Sequence, residues 1–166
     1  TTTAAAYDLQ DDVRREIGKP IIGWKLAQTT PKAQAMAGIT APTVSPLLEG
    51  MIVPADTVFP TQLFYSPEVE AEIVLKTAVD MGGPLAAEAG WDAVGWGRLG
   101  IEVADTRYQD KPSVGVLSVI ADMNSCGALV VGAPMDRSEL TEAAASAIAL
   151  RLGDATLISE LDTDMR

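Results

Sequence analysis

The 166-residue sequence predicts an α+β fold in a single domain, residues 1–166. Three observations carry that expectation. Two runs, 68–76 and 101–108, alternate side chains as strands do. Short stretches on either side of them carry helix start and stop signals. At 48% hydrophobic residues and of single-domain size, the chain can bury a real core.

The elements follow in order. Residues 1–18 form an N-terminal helical segment: Tyr7, Leu9, Val13 and Ile17 fit an amphipathic helix from Ala4 to Ile17, its polar face from Asp8 to Arg15 is solvated, and Gly18 stops it. Pro20 to Ala27 reads as a short buried strand with Lys25 near its end. Thr30-Pro31 is an N-cap and N1 pair opening a helix to Ala37 that Gly38 closes. Ile39 to Pro46 is turn-rich, and 57–65 has strand composition broken by Ser66-Pro67. Leu85 to Val94 is helical, and Trp91 and Trp96 are core or interface aromatics. Ser113 to Gly127 begins apolar and ends polar, and Ala128 to Gly132 is a buried strand. From Ser138 to Leu152 propensity favours helix with Ser138 as N-cap.

Composition excludes several functions. A net charge of −11 and a pI near 4.3 weigh against nucleic acid or an anionic membrane as partner. Apolar stretches fall short of the ~20 residues of a membrane span, and no basic-then-apolar leader is seen, so a cytoplasmic address is expected. Cys126 alone cannot make an internal disulfide. With no histidine, a His-based zinc site, a Ser-His-Asp triad and a Cys-His dyad are impossible within this chain. Proton transfer falls to carboxylates, Lys, Tyr, Arg or metal-bound water.

The alternation in 68–76 puts Glu70 and Glu72 on one face, roughly 6.5 to 7 Å apart, where two anions need solvent, a partner or a cation. Glu102, between Ile101 and Val103, is a third carboxylate in an apolar setting. Converging, the three make an all-oxygen site suited to Mg2+ or Mn2+. A solvated acidic edge strand would show the same pattern.

The two runs together resemble the fumarylacetoacetate hydrolase superfamily, in its branch of 2-hydroxypenta-2,4-dienoate (2-keto-4-pentenoate) hydratases and 4-oxalocrotonate decarboxylases. That branch carries Glu-x-Glu followed by Glu-(Ile/Val)-x-Asp-(Ser/Thr)-Arg, matched by Glu70, Glu72, Glu102, Asp105 and Arg107. The resemblance implies a mixed β-roll or sandwich with short flanking helices, and Glu70, Glu72 and Glu102 as metal ligands. Lys25 matches the lysine of a Gly-(Tyr/Trp)-Lys element, although Ala27 replaces its usual glycine; it would bind a substrate carboxylate or shuttle a proton. Asn124 and Ser125 match an Asn and Ser beside the active site, given a one-residue shift, and Glu49 falls near an acidic turn. The roles so implied are catalytic for Lys25, Glu49, Asp105 and Ser125, and substrate-binding for Lys25, Arg107 and Asn124; Arg107 is alternatively structural, pairing with Asp105. The family also places a hairpin at 147–159, which we prefer there to the helix.

The implied activity is metal-dependent hydration of a 2-hydroxy-2,4-dienoate or 2-oxo-4-enoate to a 4-hydroxy-2-oxo acid. Decarboxylation of a 2-oxo-3-enedioate such as 4-oxalocrotonate is the alternative. The implied partners are a small 2-oxo or 2-hydroxy-dienoic acid and further copies of the chain. The family's last third, with its Gly-Asp-Val-(Ile/Val)-x-Thr-Gly element, has no counterpart in these residues. Three expectations stay open: a fragment, a shortened relative, or a non-catalytic or incomplete subunit completed by a partner enzyme subunit.

Overall fold

In the computed structural model, which describes residues 2–84, 86–144 and 148–159, α1 (Thr3–Ile17) starts where the Thr2 hydroxyl accepts the Ala5 N–H at 3.2 Å. It ends at Gly18, left-handed at φ 70°. What α1 buries differs from the amphipathic expectation. Ala6 and Gln10 are buried, whereas Leu9, Val13 and Ile17 are exposed. Gln10 Nε2 donates to Ile120 O at 2.7 Å and to Val44 O at 3.2 Å. An amide whose NH2 makes both its bonds is cheap to bury, so a residue on the face read as solvated becomes the anchor of the helix.

β1 (Ile21–Ala27) pairs antiparallel with β2 (Thr43–Leu48), and Lys25 stands opposite Ser45. Between them α2 (Pro31–Ala37) has the expected caps, Thr30 accepting the Ala33 N–H and Gly38 at φ 69°. β1 is not buried: Trp24 and Leu26 are each 60% exposed, because β2 is its one neighbour among the described residues. β2 replaces the end of the turn-rich segment. Pro46, which reads as a breaker, is tolerated in a two-stranded ladder where its missing N–H breaks no inner pairing.

β3 (Ile52–Pro54), β4 (Glu68–Thr77), β5 (Val94–Ala104) and β6 (Cys126–Met135) form a sheet in the order β3-β6-β5-β4. The strand expected over 57–65 is instead irregular with one 3-10 turn, Thr61–Leu63; Pro60 and Pro67 deny it ladder donors. α3 (Ala87–Asp92) precedes β5, and α4 (Val116–Ala121) precedes β6. Leu85, the expected start of the third helix, lies outside the described residues.

The chain forms two compact units. The first takes residues up to Glu70 and from Glu102 to Val130; its core includes Leu48, Ile120, Met123, Cys126 and Leu129. The second takes Ala71–Ile101 and the described residues from Val131 to Ser159. There α5 (Arg137–Ala144) is capped by Asp136, not Ser138: Asp136 Oδ1 accepts the Ser138 and Glu139 N–H at 2.8 and 2.9 Å, and Glu139 Oε2 accepts the Asp136 N–H at 2.8 Å. This is a capping box. The preferred hairpin is present as β7 (Ile148–Leu152) and β8 (Ala155–Ser159), turning at Gly153 with φ 58°. Ala147 lies outside the described residues. Trp91 and Trp96 are 38% exposed beneath the guanidiniums of Arg137 and Arg98.

Gly97 is a close approach in this second unit. A Cβ there would lie 2.6 Å from Val74 O and 2.7 Å from the buried Leu140 side chain. Gly97→Ala is expected to cost about 1–3 kcal/mol by overpacking, read as a lower urea midpoint at unchanged slope. Among the described residues no helix is long and apolar enough to cross a membrane.

Candidate metal centre

Strand alternation sets Glu70 and Glu72 side by side on β4, and β5 supplies Glu102. Each offers a carboxylate oxygen, and these oxygens lie within 4.8 Å of one another. Ligand oxygens around one octahedral Mg2+ stand at most about 4.2 Å apart, twice a bond of ~2.1 Å, so small side-chain movements would close the set. Glu70 is exposed, Glu72 half-buried and Glu102 only 2% exposed.

Glu102 carries the electrostatic burden. Its Oε1 accepts Lys25 Nζ at 2.5 Å, and its Oε2 is buried with no N–H or O–H donor, only the weakly donating Cys126 thiol beside the carboxyl. Burial pushes its carboxyl above the ordinary range, Lys25 pulls it back, and the Glu70 charge pushes it up again. A buried carboxylate oxygen left over beside two more carboxylates fits a divalent cation, which would supply the missing partner. All three donors are hard oxygens, matching Mg2+ or Mn2+.

The turn after α4 provides the other wall. Met123, Asn124 and Ser125 all take left-handed backbone, φ 52°, 52° and 58°, though none is glycine, and all three are buried. Each such residue costs on the order of 1–2 kcal/mol. The strain is held by Asp105 N–H donating to Ser125 O at 2.7 Å, Ser125 N–H donating to Asp122 O at 3.0 Å, and Lys25 Nζ donating to Asn124 O at 3.2 Å. Asn124 Nδ2 and Ser125 Oγ have no hydrogen-bond partner. Backbone strain and unpaired buried polar groups cluster at binding and catalytic sites.

Asp105 is taken up otherwise. Its carboxylate accepts the Tyr65 and Ser66 N–H, the latter at 2.8 Å, pinning the segment that enters β4. Arg107 pairs with Asp122, Nε to Oδ1 at 3.2 Å, and reaches Asp105 and Cys126 only through their main-chain carbonyls. Glu49 is exposed in the turn after β2 and joins none of these bonds.

Burial raises the Asp122 carboxyl above its ordinary 3.8, and the Arg107 charge only partly offsets this. A raised carboxyl favours the fold fully below the unfolded value and loses that contribution as pH rises through the folded value. Asp122→Asn is therefore expected to flatten the fall in stability as pH rises above the ordinary carboxyl value of 3.8, followed by urea midpoints.

Sequence reasoning missed Thr43, Gln28 and Cys126. Thr43 Oγ1 lies 2.5 Å from Gln28 Oε1 and 3.0 Å from Asn124 Oδ1; one hydroxyl proton serves one acceptor at a time. The Cys126 thiol is pushed up to about 12 by burial and the Glu102 charge, which keeps it a neutral neighbour. The signal for Thr43 was alternation with Ser45 in a segment masked by two prolines.

No protein-family model matches the chain. It is 30% identical over 139 residues to a 4-oxalocrotonate decarboxylase of Pseudomonas sp. (strain CF600), covering 81% of this chain and 52% of that protein. It is 27% identical over 133 residues to a 2-keto-4-pentenoate hydratase of Burkholderia vietnamiensis, covering 80% and 50%. The structure of 4-oxalocrotonate decarboxylase from Pseudomonas putida G7, complexed with magnesium and adipate, matches with a TM-score of 0.77 at 29% identity, over 86% of this chain and 54% of that one. The chain spans about half the length of the curated relatives it matches.

Proposed function

Because the chain belongs to the branch of the fumarylacetoacetate hydrolase superfamily that holds 4-oxalocrotonate decarboxylases and 2-keto-4-pentenoate hydratases, we propose that it is the metal-binding part of a lyase acting on a 2-hydroxy-2,4-dienoate or its 2-oxo tautomer. The reaction proposed is hydration to a 4-hydroxy-2-oxo acid. The observation that carries this reading is the buried, unpartnered Glu102 Oε2 beside the carboxylates of Glu70 and Glu72.

Glu70, Glu72 and Glu102 would hold Mg2+ or Mn2+, whose charge, when bound, favours the negative charge that develops on the 2-oxygen. The remaining chemistry falls to this chain's own side chains. The Lys25 ammonium, held by Glu102 and Asn124 O, is placed to orient a substrate carboxylate or to give a proton to the dienol carbon. Asn124 Nδ2 and Ser125 Oγ are donors without partners and would hold substrate oxygens. Arg107 and Asp105 are read as structural, since their groups are used in fixing the turn and the entry to β4.

Decarboxylation of a 2-oxo-3-enedioate is a second reading, favoured by the decarboxylase relative and solved structure. It needs the same electron sink and differs in the bond broken. The deciding experiment pairs a Mn2+ titration, followed by the paramagnetic resonance of free metal, with turnover of 2-hydroxypenta-2,4-dienoate and 4-oxalocrotonate. Stoichiometric Mn2+ binding and faster turnover of the dienoate are expected. Faster release of CO2 from oxalocrotonate would replace hydratase by decarboxylase. Metal binding without turnover would make the chain a subunit that contributes the carboxylates and needs a partner.

A further inference from the structure

Besides the three unpaired groups of the metal centre, a fourth buried side-chain atom among the described residues has no hydrogen-bond partner: Ser45 Oγ. Native interiors leave few such atoms. Ser45 has no exposed surface at all. Its place in β2 is directly opposite Lys25. Side chains opposed across an antiparallel ladder project to the same face, with Cβ atoms about 4.5–5.5 Å apart. Residues two apart on a strand also share a face, so Ser45 lies on the face of Thr43, whose hydroxyl meets Asn124 Oδ1. From that same face Lys25 reaches Glu102 and Asn124 O.

Ser45 is therefore flanked, on its strand and across the ladder, by two side chains that both touch the centre. If this hydroxyl only filled space, alanine would do so without stranding a polar group. Its neighbours also show what it could serve. The unpaired Asn124 Nδ2 and the Lys25 ammonium donate and cannot accept, and the two serine hydroxyls can turn to donate as well. A ligand group matched to such a set bears bare acceptor oxygens, as a carboxylate does, and not an amine.

We infer that Ser45 is a ligand-binding residue of this centre, its hydroxyl donating with Asn124 Nδ2 to a carboxylate oxygen of a 2-oxo acid. The inference rests on the function proposed above and adds a wall to the site, contributed by β2. Thr43, acting through Asn124, is a positioning residue on that wall.

The test compares the 166-residue wild-type chain with Ser45→Ala and Ser45→Cys, using 2-oxopentanoate as an unreactive probe in saturating Mg2+. Probe affinity is measured by calorimetry, Mn2+ affinity by paramagnetic resonance, and thermal unfolding alongside. Ser45→Ala is expected to weaken the probe roughly tenfold or more, the range for a lost bond to a charged group. Its Mn2+ affinity should hold and its unfolding temperature should hold or rise. Ser45→Cys, similar in shape with a weaker donor, should fall between. Unchanged probe affinity with a raised unfolding temperature would overturn the inference, leaving Ser45 an unpaired core hydroxyl. A wild-type chain that binds Mn2+ but no probe would also overturn it while sparing the metal centre; failure to bind Mn2+ would sink both.

Discussion

Glu102→Gln is expected to abolish tight Mn2+ binding while costing the metal-free fold less than loss of Lys25 does, since the amide oxygen can still accept from the Lys25 ammonium. The loss should exceed the ~10–100-fold that removal of an outer-shell partner costs a metal site, because Glu102 supplies a charged oxygen from the buried end of the set. The fold should tolerate the change because burial already disfavours the ionised carboxyl there. With its pKa raised, Glu102 favours the metal-free fold below the ordinary value of 4.5 and ceases to do so as pH rises through the folded value. The neutral amide removes that slope, and Lys25 keeps the Asn124 carbonyl. Paramagnetic titration and urea unfolding at two pH values read both effects. Unchanged Mn2+ affinity in a folded variant would remove Glu102 from the ligand set.

Lys25→Met should act in the opposite sense, on the fold before the metal. The Lys25 and Glu102 side chains are 11% and 2% exposed and meet at 2.5 Å. Removing one partner of a buried pair costs about 3–5 kcal/mol, because the other charge is stranded. The metal-free variant should therefore lose stability, more so as pH rises through the further elevated Glu102 value, and Mg2+ should restore part of it by acting as the counter-charge. Unfolding with and without Mg2+ measures this. A loss below about 1 kcal/mol, independent of Mg2+, would make the pair equivalent to an exposed one.

The legible parts of the chain were those decided within a few residues. Gly18, Thr30 and Gly38 act through the backbone groups next to them, and α1 ends, and α2 begins and ends, where they say, whereas the Thr2 cap that starts α1 at Thr3 was not read from the sequence. Glu70 and Glu72 share a face because alternation is a property of one strand. The hairpin at 148–159 was legible only through resemblance, since alanine-rich local propensity there argued for helix. β2 was hidden by Pro46 within it and Pro42 just before it, and with it Thr43 and Ser45. Asp105 and Arg107 stood in the right motif, yet their bonds go to Tyr65, Ser66 and Asp122.

From the sequence alone came the α+β class, the capped helices, the paired carboxylates and the exclusion of histidine chemistry. Tertiary structure alone decided that Glu102 meets Lys25 across 77 positions of chain, that Gln10 rather than the apolar stripe anchors α1, and that the turn at Asn124 is left-handed and buried. The division has one physical cause. Caps and alternation depend on bonds between near neighbours, whereas desolvation and the satisfaction of a buried polar atom depend on every group that packs against it, however far away in sequence.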